Sequence, residues 1–144
     1  MDCAFCAIVA GRAPASVVYD DDRALAFMTL HPTNPGECLV IPKLHVDQFC
    51  DIDDDLTGHV TAIAQRLARR IRDRLAPRRV GWVVSGFGIA HAHLIVVPLH
   101  DGHDIVSARH AYIDGDLVKF DERRAGSPTR AELDDLSRRL ALTR

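Results

Sequence analysis

The chain has 144 residues, 47% of them hydrophobic and 26% charged, long enough for one domain to bury roughly 70% of the surface its unfolded chain exposes. Its 18 basic and 20 acidic side chains give a net charge of −2, so the whole molecule has no pull toward nucleic acid or anionic membrane, and any nucleotide site must be local. Disorder, collagen-like repeats and a coiled-coil rod are excluded; with no apolar run near the ~18 residues of a membrane span and no basic flank at Met1-Asp2-Cys3, a cytoplasmic protein is expected.

In chain order, Val17–Asp20 and Ala24–Leu30 are short apolar runs parted by Asp20-Asp21-Asp22, the pattern of a hairpin. After the turn-forming stretch His31-Pro32-Thr33-Asn34-Pro35-Gly36, the run Cys38–Ile41 predicts a third strand stopped by Pro42. From Asp53 to Ala76, Leu56, Val60, Ile63, Leu67, Ile71 and Leu75 recur every three or four positions, one face of an amphipathic helix. Acidic residues open that helix, Arg72 and Arg74 sit in its last turn, and Pro77 closes it. Val80–Ser85 and His91–Pro98 predict a second hairpin around Gly86-Phe87-Gly88. The pattern weakens through Asp114-Gly115-Asp116, then Thr129-x-x-Glu132 supplies a capping box for a short C-terminal helix. Together these elements predict an α+β domain with an antiparallel sheet of about five strands, one long helix on one face and a short C-terminal helix. No repeat or long linker divides the chain: residues 1–104 form the main domain, and 105–144 are an extension of the same compact unit.

Two features suggest chemistry. His91 and His93 lie two apart in a predicted strand and so share a face, while Ala92, Leu94 and Val96 take the other. Neutral imidazole is both basic and nucleophilic near neutral pH, although two exposed polar residues on a wet strand would give the same spacing. Cys3-x-x-Cys6 suits half of a tetrahedral zinc site or a pair of ordinary buried thiols, with His45 and either His91 or the pair His100 and His103 as candidates to complete it. Cys38 and Cys50 are expected to be buried as small apolar residues. The arginines from Arg66 to Arg79 read as a solvated helix face, and nucleic-acid binding is not expected.

The opening Cys3-Ala-Phe-Cys6-Ala-Ile8-Val-Ala-Gly11-Arg-Ala-Pro14, the strands to Phe27, Leu39-Val-Ile-Pro42-Lys43-Leu-His45 and the later His91-x-His93 with Val96-Val97-Pro98 resemble the histidine-triad (HIT) family, in its branch of nucleoside phosphoramidases. The resemblance covers about residues 3–100. It implies the HIT fold, a homodimer whose sheet continues across the interface, and a nucleotide bound beside the histidine strand. It implies that His93 attacks phosphorus and that the resulting nucleotidyl-histidine is hydrolysed by water. It implies Phe5, Ile8 and Phe27 in the base pocket, with Ser85 in the segment that contacts phosphate. It also implies a closed, structural zinc site of Cys3, Cys6, His45 and His91.

Four departures from the family pattern fall in the same cleft. Ile95 occupies the third triad position, where a side chain able to donate to a phosphate oxygen is expected. Thr29 stands where an acidic residue holds the ribose, and Glu37 replaces the histidine after Gly36. The Ser85-Gly86-Phe87-Gly88 segment is shorter than its family counterpart. The leading expectation is a HIT-type nucleotidyl hydrolase or transferase acting on a nucleoside phosphoramidate, dinucleoside polyphosphate or related ester through His93. Two alternatives stay open: a repurposed enzyme using His93 and Glu37 for acid–base chemistry on a non-nucleotide small molecule, and a non-catalytic nucleotide-binding module.

Overall fold

A computed structural model describes residues 3–105, 111–120 and 126–143. The chain opens on a short helix α1 (Ala4–Val9), capped by Cys3, whose Sγ accepts from the Cys6 N–H. No periodic signal marks it beforehand, because six residues make less than two turns. Strands β1 (Val17–Asp20) and β2 (Ala24–Met28) then form the expected hairpin. Asp21 builds its turn, accepting the N–H groups of Arg23 and Ala24 at 2.8 Å each. Strand β3 (Cys38–Pro42) pairs antiparallel with β2 along its whole length and includes the proline expected to stop it.

A single 3₁₀ turn (Phe49–Asp51) leads to helix α2 (Asp54–Leu75), N-capped by Asp53. Its buried residues Leu56, Val60, Ile63, Ala64, Leu67 and Ile71 are the predicted stripe. Strands β4 (Arg79–Val83) and β5 (Leu94–Leu99) follow, and the sheet order is β1-β2-β3-β5-β4, antiparallel throughout. The second strand of this hairpin therefore starts at Leu94, three residues later than expected. Before it, the backbone leaves the ladder: the N–H of Ala92 donates to Val46 O at 2.7 Å and that of His91 to Ile89 O at 2.8 Å. A separate hairpin, β6 (Ala111–Asp114) and β7 (Leu117–Phe120), turns at Gly115, whose φ is +63°. The Asp114-Gly115 pair carried that signal, but no buried face accompanied it. Helix α3 (Arg130–Leu140) has the predicted capping box between Thr129 and Glu132.

The sheet is buried on both faces, which is why every residue of β2 and β3 is buried and neither strand alternates in hydropathy. One face sends Ala24, Ala26, Val40, Leu94 and Val96 against α2, joined by Leu133 and Leu140 of α3. The other sends Leu25, Phe27, Leu39 and Ile41 against Phe5 of α1. Each large side chain buried there contributes about 1.5–3 kcal/mol relative to exposure. Gly36, at φ +99°, marks the closest approach of the β3 entry to the helix layer: an added Cβ would lie 2.3 Å from Leu75 Cδ1. Only glycine suits that position. Helix α3 is tied to β1 by Ser16 Oγ donating to Asp134 Oδ1 at 2.6 Å and by the Leu142 N–H donating to Val18 O at 2.9 Å.

Candidate active site and metal centre

Helix α1, the segment after β3 and the approach to β5 converge on one cluster. The ligand-capable atoms of Cys3, Cys6, His45 and His91 all lie within 4.8 Å of one another. A tetrahedral ion with metal–sulfur bonds of about 2.3 Å and metal–nitrogen bonds of about 2.05 Å holds S···N pairs about 3.6 Å apart and N···N pairs about 3.3 Å apart. Here Cys3 Sγ and Cys6 Sγ lie 3.5 and 3.6 Å from His91 Nδ1, Cys6 Sγ lies 3.3 Å from His45 Nδ1, and the two Nδ1 atoms are 3.3 Å apart.

The protonation of His91 fits as well. Its Nε2–H donates to Pro42 O at 2.9 Å, so Nδ1 presents a lone pair to the cluster. Burial, with the neighbouring His45 and His93 as smaller causes, holds this imidazole below its ordinary pKa and favours the neutral form a metal needs. Burial and the adjacent Cys3 push the Cys6 thiol up, which a bound cation would reverse. The donor set thus fits a tetrahedral Cys₂His₂ ion in type and in these four separations. His100 and His103 take no part in it; they lie in the loop beyond β5, with their N–H groups held by Asp104 and Asp101. His110 lies outside the described residues.

His93 is two residues further on and 8% exposed. Its Nδ1 lies 2.7 Å from the His91 carbonyl oxygen, which can only accept, so Nδ1 carries the proton and Nε2 keeps its lone pair. The ring of Phe5 is set edge-to-face against His93 at 5.4 Å, against His91 at 5.7 Å and against Phe27 at 5.4 Å. Both histidines therefore face the Phe5 side of the sheet, whereas Ala92, Leu94 and Val96 pack toward α2. The shared face persists although neither histidine lies in the regular strand.

Two clefts flank Phe5 and His93. One, of about 260 Å³, is lined by Phe5, Ile8, Phe27, Thr29, Leu39 and Ile89, with Arg130 at its rim. This brings together four of the residues expected to bind substrate. The other, of about 430 Å³, contains His93 and Ser85 together with Asp47, Phe49, Val84 and Phe87. Ile95 lies opposite Leu39 in the β3–β5 ladder and packs against the Phe5 cluster, offering no polar atom.

Glu37 is not where an acid–base partner of His93 was expected. The register pairs Cys38 with Val96 and Val40 with Leu94, so Glu37 lies before Cys38, toward the end of the β3–β5 ladder away from His93. Its carboxylate accepts the Thr33 N–H at 2.7 Å and shapes the loop before β3. Cys50 also departs from expectation: it is exposed and lines the larger cleft, whereas Cys38 is buried. Arg130 was missed because only the tertiary docking of α3 brings it to the cleft, where it also donates to Ser16 Oγ at 3.1 Å. Among the described residues, no helix is long and apolar enough to cross a membrane.

Residues 10–103 match the model of the HIT domain. An uncharacterized HIT-like protein of Methanocaldococcus jannaschii is 32% identical over 126 residues, covering 83% of this chain and 88% of the relative. The crystal structure of a Zn-bound histidine triad family protein from Mycobacterium smegmatis is similar with a TM-score of 0.69 and 30% identity, covering 97% of this chain and 96% of that one. A HIT family hydrolase from Legionella pneumophila aligns with a TM-score of 0.57 at 30% identity, over 67% of this chain and 91% of its own. With its sheet, its histidine approach strand and its sequence in agreement, the chain belongs to the HIT family.

Proposed function

We propose that the protein is a HIT-type nucleotidyl hydrolase or transferase of the nucleoside phosphoramidase-like branch, and that His93 is its nucleophile. The observation that carries this reading is the bond from His93 Nδ1–H to the His91 carbonyl. It favours the tautomer in which Nε2 keeps the lone pair that attack on phosphorus needs, and His93 lines the larger cleft. The smaller, apolar cleft suits a nucleoside base, and Thr29, which lines it, is our candidate partner for a ribose hydroxyl. One neutral hydroxyl is a weaker ribose partner than a carboxylate.

For a phosphoramidate, Nε2 bonds to phosphorus while the P–N bond breaks; the departing nitrogen takes that electron pair, gains a proton from water and leaves as an amine. Water then adds to phosphorus, the P–Nε2 bond breaks, and a nucleotide and a proton are released. Ile95 contributes no donor to the phosphate oxygens, so transition-state stabilisation there is weaker than a polar third triad residue would give. This leaves a second reading, a non-catalytic nucleotide-binding module, with one observation in its favour.

Zinc is the ion we assign to Cys3, Cys6, His45 and His91. When bound, it would be a closed structural staple with no open position for substrate. The chain's own part is to hold those four donors and, through the backbone of His91, to place His93. We also propose a homodimer through β4, an edge strand with Trp82 44% exposed and followed by Val84, 50% exposed. A cytoplasmic setting suits free thiols among the cysteines.

The test is turnover of adenosine and guanosine phosphoramidates, followed as release of the nucleoside monophosphate. His93→Ala is expected to lower kcat by about 10³-fold or more. Tight nucleotide binding without turnover, unchanged in His93→Ala, would select the binding module instead.

A further inference from the structure

Strand β4 is the open edge of the sheet. At the opposite edge, β1 is covered by the C-terminal segment, where the Leu142 N–H donates to Val18 O; among the described residues, no strand pairs with the outer side of β4. Its sequence, Arg79-Val80-Gly81-Trp82-Val83, is complementary to itself. Pairing the whole strand antiparallel with a second copy, about a two-fold axis normal to the sheet, sets Gly81 opposite Gly81, Val80 opposite Trp82 and Arg79 opposite Val83. The exposed Trp82 then meets a β-branched residue on the α2 side of the sheet, a favourable cross-strand pair.

The other face carries the consequence for the site. Residues directly opposite in a ladder share a face. Val83 is paired with Ile95 and Ile95 with Leu39, and both Ile95 and Leu39 pack on the Phe5 side, the side that holds His93. In the pairing above, Arg79 of the partner subunit extends that row on the same face, two strand spacings, about 10 Å, from Ile95. An extended arginine bridges much of that gap, toward the cleft that contains His93, Val84 and Ser85. The lining of that cleft includes the Asp47 carboxylate but no lysine or arginine. A phosphate attacked there needs a cation from elsewhere.

We propose that Arg79 of the partner subunit is the phosphate clamp of the His93 site. Its planar guanidinium donates to the non-bridging phosphate oxygens and supplies across the interface what Ile95 does not supply within the chain. This rests on the nucleotidyl reading of His93 and on the homodimer through β4.

The experiment is complementation between copies, followed with adenosine phosphoramidate. Arg79→Ala, at an exposed position, is expected to lower kcat about 10²-fold, with Arg79→Lys in between. A dimer of one Arg79→Ala chain and one His93→Ala chain, co-expressed with different tags and isolated through both, has one site with both groups and one with neither. It is expected to recover about half of the wild-type rate. A rate left at the level of Arg79→Ala, or a wild-type chain that is monomeric by analytical ultracentrifugation, overturns the assignment. If the wild type turns nothing over, the nucleotidyl reading fails by itself, and calorimetry then tests the clamp. Adenosine monophosphate bound about tenfold more weakly by Arg79→Ala, with adenosine unaffected, sustains it; equal affinity for the monophosphate overturns it.

Discussion

Two regions two residues apart along the chain obey different rules. Around His91, four donors from three segments stand at the separations of a tetrahedral ion, and the second ring nitrogen of His91 is held by Pro42 O. Around His93, the imidazole is held by a backbone carbonyl, but Ile95 offers no polar atom, Thr29 lines the smaller cleft and the Glu37 carboxylate accepts the Thr33 N–H. The lesson is that the two regions can diverge separately. A metal cluster fails if one donor is lost, whereas a cleft can exchange its polar partners and keep its nucleophile. They remain joined by one link, because His91, which offers Nδ1 to the proposed metal site, also supplies the carbonyl that accepts from His93 Nδ1.

The largest expected effect breaks the first region. Cys6→Ser should abolish one-to-one zinc binding by elemental analysis and lower stability by about 3 kcal/mol or more, as expected from losing an ion present at more than a hundred times its dissociation constant. Full metal content in this variant would refute the four-donor assignment. Next comes an addition to the second region. On the proposed nucleotidyl reading, Ile95→His adds a donor near the cleft and should raise kcat about 10²-fold, with metal content unchanged. An equal or lower kcat would mean that the missing donor is not what distinguishes this cleft.

A scaffold change supplies a control for both. Burial disfavours the Asp21 carboxylate, but bonds from Tyr19 OH, the Arg23 and Ala24 N–H groups and His59 outweigh it and hold its pKa well below the usual carboxylate range. Asp21→Asn should cost about 2 kcal/mol in denaturant unfolding and leave metal stoichiometry unaltered. Because the folded pKa is depressed, the stability Asp21 contributes is complete above about pH 4 and is lost as pH falls through the folded value. The wild type should therefore lose its advantage over Asp21→Asn only in strong acid. The smallest effect is a gain: Ala76 ends α2 in the left-handed region at φ +48°, so Ala76→Gly should stabilise the fold by about 1 kcal/mol.

Much of this comparison was legible in the sequence, for definite reasons. The apolar stripe of α2 announces its period over 22 residues, and the capping box at Thr129 marks α3 with two reciprocal hydrogen bonds. Cys3 and Cys6 could be gathered from motif spacing, His45 was singled out among the candidates by the family resemblance, and the common face of His91 and His93 followed from strand alternation. What escaped depends on register or tertiary docking. Whether Glu37 reaches His93 turns on the β3–β5 register, which no local pattern encodes. The start of β5 at Leu94 reflects the Ala92 N–H turning to Val46 O. Cys50, with a composition that suggested burial, sits at the mouth of the larger cleft because the 3₁₀ turn ahead of α2 turns it outward.

The nucleophilic role of His93 is the centre of the account, and trapping the covalent intermediate tests it most directly. After a brief incubation with the best phosphoramidate and a denaturing quench at alkaline pH, mass spectrometry of the digested protein should find one nucleotidyl group on the peptide containing His93, absent in His93→Ala. Turnover with no such adduct, or an adduct that persists in His93→Ala, would contradict it.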